Sequence, residues 1–245
     1  MADIFNLSWS RTSFFSKLLL LGKSVWRERG RVNSFDARIK ADGYSALSST
    51  YYSIVGTAGA YFGILAKSRP SVPIAGHALV LARLCAALAT WLPLGAWCWW
   101  RMLYLSNRVV ELIGYERMSA AQCDIRQSIL RLRKRPDEAR VCINHGLSKR
   151  DAELHTLGLL YAGLADVEMR EGNAGSAADM IRSALAYAAR AEAANARQAA
   201  RIYRQCAGVS ERLAESDFSA PKLRAKAESL ARATGASDQL LKLNE

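Results

Sequence analysis

No side chain from Gly43 to Ala66 carries a charge, and a second apolar run extends from Ile74 to Tyr104, interrupted by Arg83 and with Arg101 near its end. A helix needs only about 20 mostly apolar residues to cross a hydrocarbon core about 30 Å thick. Pro70 and Pro73 between the runs exclude one continuous helix. The pattern therefore predicts two antiparallel membrane helices joined by a tight turn, a hairpin over residues 44–105. Counting at 1.5 Å per residue, Arg83 lies about 25 Å from Trp100, close to the opposite interface, where its charge can snorkel. Trp97, Trp99, Trp100 and Tyr104 read as an aromatic belt at one boundary with Arg101 just beyond it, and Tyr44, Tyr51 and Tyr52 occupy the matching end of the first span. Gly59 and Gly63 have the spacing that lets membrane helices approach closely, and Ala82, Ala86 and Ala89 are the expected partners. The competing reading is a buried hairpin inside a larger soluble helical domain. What favours the membrane is that residues 44–100 contain no Asp or Glu.

Ahead of the hairpin, residues 1–43 hold an amphipathic stretch. Phe14, Phe15, Leu18, Leu19, Val25 and Trp26 recur at helical spacing, Lys17, Ser24, Arg27 and Arg31 lie around the other side, and Gly30 reads as a helix stop. Such a helix lies in the headgroup plane, with Phe14, Phe15, Leu18 and Trp26 as interface residues, or packs on the chain's own soluble part; the pattern serves both. Two weaker patterns share the segment. The serines at 8, 10, 13 and 16 with Arg11 resemble a mitochondrial presequence, and Gly22-Lys23-Ser24 copies the end of a phosphate loop that lacks its first glycine and its strand.

After the hairpin the second helix is expected to continue from Leu105 to Gly114, and from Ser119 the chain reads as short helices with short turns. Ser119 and Gln122 form a capping box, Pro136 suits a first helical turn, and Gly172, Asn173 and Gly175 break the pattern between two helices. Tyr161, Leu164, Ala165, the Gly172-Asn173 turn, Ala177, Ile181, Ala184 and Leu185 fall at the spacing of a tetratricopeptide repeat, and the interval Gly158 to Ala191 resembles that family. The likeness covers about 34 residues well and the rest loosely, since Arg126 and Gln127 stand where a large and a small residue are expected, and the helices at 194–213 and 220–233 are out of register. The resemblance implies two to three stacked helical hairpins with an extra helix as cap, and an inner face carrying Leu159, Ala162, Asp166, Met169 and Arg170 that binds peptides or partner helices.

Composition changes this picture little. The 245 residues carry a net charge of +12, spread over all three segments, and five cysteines with no close pairing, which indicates neither a disulfide framework nor a Cys-x-x-Cys site. Cys123, Cys142, His145 and His155 could be stretched into a zinc site, but no ligand spacing repeats. No nucleophile, metalloprotease or nucleotide motif is present, so neither catalysis nor a cofactor is expected. Arg197, Arg201 and Arg204 line one helix face, which is a solvated face or a receiver of an acidic peptide, lipid headgroups or RNA. Nucleic acid is not among the expected partners.

The sequence thus predicts an all-α chain: a two-span transmembrane hairpin (44–105) followed by a short solenoid like tetratricopeptide repeats (106–245). Its expected work is recruiting or scaffolding proteins at a membrane; the alternatives are an accessory subunit of a larger membrane complex and a membrane-shaping protein. Arg27, Arg29, Arg31, Arg38 and Lys40 before the first span, with Arg101, Arg108 and Arg117 after the second, place both termini on the cytoplasmic or matrix side.

Overall fold

The computed structural model describes residues 14–67, 73–74, 76–213 and 218–244, and all their regular structure is helical. Among these residues the elements are α1 (Phe14–Val32), α2 (Ala37–Ala66), α3 (Gly76–Thr90), α4 (Leu92–Arg117), α5 (Ala120–Leu132), α6 (Pro136–Leu147), α7 (Leu154–Arg170), α8 (Ala174–Ser210), α9 (Ala220–Ala233) and α10 (Ser237–Lys242). They fall into two compact units: unit 1 is Met1–Gly114 with Gly235–Glu245, and unit 2 is Tyr115–Thr234. The boundary follows Gly114, which interrupts α4 with φ 67 and ψ 165, a backbone state that glycine alone adopts at no steric cost.

In unit 1, α1 runs past Gly30 to Val32, so that glycine does not stop the helix as its position suggests. An interior glycine weakens a helix by about 1 kcal/mol without ending it. α2 opens at Asp36, whose carboxylate accepts from the backbone N–H of Arg38 at 2.9 Å and of Ile39 at 2.8 Å. The two helices cross closely at Gly43. A Cβ there would stand 2.9 Å from Cβ of Arg31 and 3.0 Å from the carbonyl oxygen of Glu28, so only glycine permits the crossing.

α2 and α3 form the expected antiparallel pair, but not through the expected glycines. Ala60 and Ile64 pack with Ala78, Ala82 and Leu241 of α10, whereas Gly59 is exposed and Gly63 half-buried. The contact therefore uses the α2 face next to the glycine pair. The second apolar run is also not one helix. It breaks at Trp91, and the axes of α3 and α4 differ by 92°. Pro93, in the first turn of α4, has no N–H to donate back to α3, and in the last turn of α3 the Thr90 hydroxyl donates to the Ala86 carbonyl at 2.7 Å. At this tight turn a Cβ on Gly95 would run into the Ala89 carbonyl. Among the described residues no single helix is long and apolar enough to cross a membrane; the bent α3–α4 pair is the one candidate.

Unit 2 is a run of helical hairpins. α5 begins with the predicted capping box, Ser119 Oγ accepting from Gln122 N at 3.2 Å and Gln122 Oε1 from Ser119 N at 2.9 Å. Pro136 opens α6, and Gly172 makes the α7–α8 turn at φ 84. α8 bends at Asn195 (φ −151, ψ 68), whose side-chain oxygen accepts from Gln198 N at 3.2 Å and so recaps the chain as a new helix. That break separates the stretches predicted to end at 191 and to begin at 194, and α9 spans the predicted 220–233. α5 pairs with α6, α7 with α8 on both sides of the Asn195 bend, and α9 with α8. The contact residues are small: Ala165, Ala177, Ala184 and Ala188 are fully buried, with Ile181 and Ile202 filling the gaps.

Candidate functional site

Two groups of residues stand out, one in each unit. Unit 1 buries Met102 and Leu105, yet it also turns many large apolar side chains outward. α3 packs Ala78, Ala82 and Ala86 inward and turns Val80, Leu84 and Leu88 out, at 52, 46 and 41 % exposure. Phe62 and Leu65 of α2 and Trp91, Trp97, Trp100 and Tyr104 are exposed as well, whereas in unit 2 the exposed large hydrophobics among the described residues are Leu132 and Val141. Of the expected interface residues, Trp97 and Trp100 are exposed, Trp99 is half-buried and Trp26 is 75 % exposed; the side chains of Phe14, Phe15 and Leu18 lie outside the described residues.

The aromatic belt is held together by Arg101. Its guanidinium carbon lies 5.9, 5.7 and 5.5 Å from the ring centroids of Trp97, Trp100 and Tyr104, and the last two rings stack at 4.9 Å. Tyr51 of α2 meets Trp97 edge-on at 5.2 Å, so the predicted matching ends of the two runs do come together. Sequence reading placed Arg101 beyond the belt and missed its place inside it. Its position within a turn of three aromatic residues was the available signal.

α2 itself carries Ser48 and Thr50, yet each hydroxyl is satisfied within the helix. Ser48 donates to the Ser45 carbonyl and Thr50 to the Ala46 carbonyl, both at 3.1 Å. Polar side chains bonded back to their own helix are tolerated in apolar surroundings.

In unit 2 the residues assigned to a peptide-binding inner face are largely inside the unit. Leu159 and Ala162 are buried in packing, Met169 is half-buried and Arg170 exposed. Asp166 is buried at the centre of an ion cluster: Arg212 reaches it at 2.5 Å, Arg170 at 3.1 Å and Arg131 at 3.5 Å. Leu159, Ala162 and Asp166 therefore cannot contact a partner as drawn from the resemblance, because neighbouring helices already cover them. The basic stripe is not a plain solvated face either. Arg201 turns inward to Asp124 at 3.3 Å and to Ser128 at 3.4 Å, and Arg197 and Arg204 are half-buried.

The cluster draws on Asp124, Arg131 and Arg212, which the sequence reading left out, and on Gln127, which it noted only as a departure from the repeat pattern. Gln127 is fully buried and donates to Asp124 at 2.9 Å; a Cβ on the facing Gly163 would stand 2.6 Å from its Oε1. Gly163 thus makes room for the glutamine where the repeat pattern wants a small residue. Burial pushes the Asp166 carboxyl up, but Arg131, Arg212 and Arg170 outweigh it and hold the group below its ordinary value. The Cys and His residues considered for zinc do not converge. The Cys142 thiol donates to the Cys123 carbonyl at 3.4 Å, His145 stacks on Tyr115 at 5.2 Å, and His155 pairs with Glu153 at 3.1 Å. Among the described residues no three or more potential ligands gather around one point.

No protein-family model matches the chain, and comparison with curated proteins and with solved structures finds no similar protein.

Proposed function

We propose that the chain is a membrane-anchored adaptor: unit 1 holds it in a bilayer, and unit 2, a short stack of helical hairpins like tetratricopeptide repeats, holds partner proteins there. The observation that carries the anchoring is the distribution of side chains on α3, with alanines inside and Val80, Leu84 and Leu88 outside. Water drives the larger apolar groups inward, each worth about 1.5–3 kcal/mol when buried. Lipid removes that drive, and membrane helices pack through small residues and present large ones to the acyl chains. The belt of Trp97, Trp100 and Tyr104 around Arg101 suits the headgroup boundary, where aromatic rings and a charge coexist. For unit 2 the support is architectural: α5 and α7, the leading helices of two successive hairpins, begin at Ala120 and Leu154, 34 positions apart.

The test of anchoring is extraction. Membranes from cells expressing the full chain are washed with high salt and then with alkaline carbonate; the protein is expected to stay in the pellet through both, because burial of apolar surface is not screened by salt. Release of most of it by carbonate would sink the anchor. Affinity purification of the full chain in mild detergent is then expected to bring down other proteins, and to lose them when α7 and α8 are deleted. Recovery of the chain alone would remove the adaptor role.

A further inference from the structure

We infer that α1 lies flat on the membrane as a lipid-binding helix, with its Trp26 side against an anionic headgroup layer. This rests on the anchoring of unit 1 proposed above. An amphipathic helix in a water-soluble protein buries its apolar side; over residues 22–32, α1 instead turns Ser24 and Glu28 inward and leaves Trp26 out. Ser24 and Glu28, one turn apart, are the side turned to α2, at 8 % and 0 % exposure, and the Glu28 carbonyl sits over Gly43. The Glu28 carboxylate is held by Arg27 and Arg31, each at 3.2 Å. Trp26, two residues from both, projects from the opposite side and is 75 % exposed.

Charge decides what covers this side. Lys23 and Arg29 stand three positions before and after Trp26, and both are exposed. The one acid in α1, Glu28, faces inward and is already paired. An exposed indole bordered by cations, with the helix's one acid turned away, complements a layer of anionic phosphates over acyl chains. Phe35, fully exposed where α1 passes into α2, and Ile39 at 47 % exposure are further exposed apolar groups near that end of α1, with the exposed Asp36 between them.

The experiment compares the full chain with its Trp26→Phe variant, both reconstituted in phosphatidylglycerol vesicles with and without bromine on the acyl chains. The difference between their emission spectra isolates Trp26, and the remaining tryptophans report largely on the hairpin. Quenching of the Trp26 share by brominated lipid is expected, together with a loss of that quenching in Lys23→Glu/Arg29→Glu and in phosphatidylcholine vesicles. An unquenched Trp26 beside quenched remaining tryptophans would overturn the inference and leave the anchor standing; a blue-shifted but unquenched Trp26 would mean that protein covers it, and equally overturns it. If no tryptophan is quenched, both the inference and the anchor fall. Quenching of Trp26 that persists unchanged in the charge-reversed variant would overturn the selection for anionic lipid.

Discussion

Asp166 is where single-residue energetics in unit 2 are concentrated. Its side chain is buried and faces three guanidinium groups, so its charge costs desolvation that Arg131, Arg170 and Arg212 repay. Glu168 is also held low, first by the hydrogen bond from Arg140 and further by Asn173, which donates at 2.9 Å. A carboxylate with a lowered folded pKa contributes stability that is fully present above its unfolded value and is lost as pH falls through the folded one. Unit 2 is therefore expected to loosen below about pH 4, the ordinary carboxylate range, and not near neutrality. Asp166→Asn should cost about 3 kcal/mol at neutral pH, the low end for breaking a buried pair, because Arg170 and Arg212 are partly open to water. Amide exchange in α5 and α7 of the full-length protein measures this. Equal exchange in variant and wild type at neutral pH, or a gap that persists in strong acid, would contradict it.

At the scale of elements, unit 2 depends on alanines that let helices touch. Ala184 of α8 is fully buried, and Trp in its place should disrupt the α7–α8 hairpin, since overpacking a tight contact costs about 1–3 kcal/mol or more. Loss of helical signal and rapid proteolysis within unit 2 are expected; a variant as resistant as wild type would show that the contact is loose. Elements set by local chemistry were legible in the sequence: the Ser119 cap, the Pro136 start, the Gly172 turn and the limits of α9 follow from residues acting on their own neighbours. The bend at Trp91 was not read, although Pro93 was in view, because an apolar average over Ile74 to Tyr104 hides one missing backbone donor. The Asp166 cluster was not read either. Its members sit on α5, on α7 and beyond the end of α8, and nothing local to any of these announces that Gly163 opposite Gln127 brings them together. The departure of Arg126 and Gln127 from the repeat pattern was the visible trace of that core, for both are buried.

For the whole molecule the open quantity is how unit 1 meets the bilayer, and the bend changes the prediction. α2 has 30 residues, about 45 Å of helix, which exceeds the thickness of a core of about 30 Å, but it lacks the apolarity of a span by itself. α3 has 15, about 22 Å, and the chain turns by 92° at Trp91. Under the proposed anchoring, α3 would return through most of the bilayer and the aromatic belt would lie where α4 leaves the hydrocarbon. Positive charge before α2 and after the belt exceeds that of Lys67 and Arg69 between the two runs, so the anchoring proposed above is expected to keep both outer ends inside and to send the Lys67 end of α2 across. All five native cysteines are buried, and burial pushes the Cys206 thiol up to about 12, so an impermeant maleimide meets little native background. Cysteines are introduced one at a time at the exposed Lys67 and Lys222 and probed in sealed vesicles of known orientation. From the outer side, Lys67→Cys is expected to react at once and Lys222→Cys only after permeabilisation. The opposite pattern would reverse the topology. Immediate reaction of both from one side would mean that α2 never crosses, and that the bent α3–α4 pair dips into the same leaflet it came from.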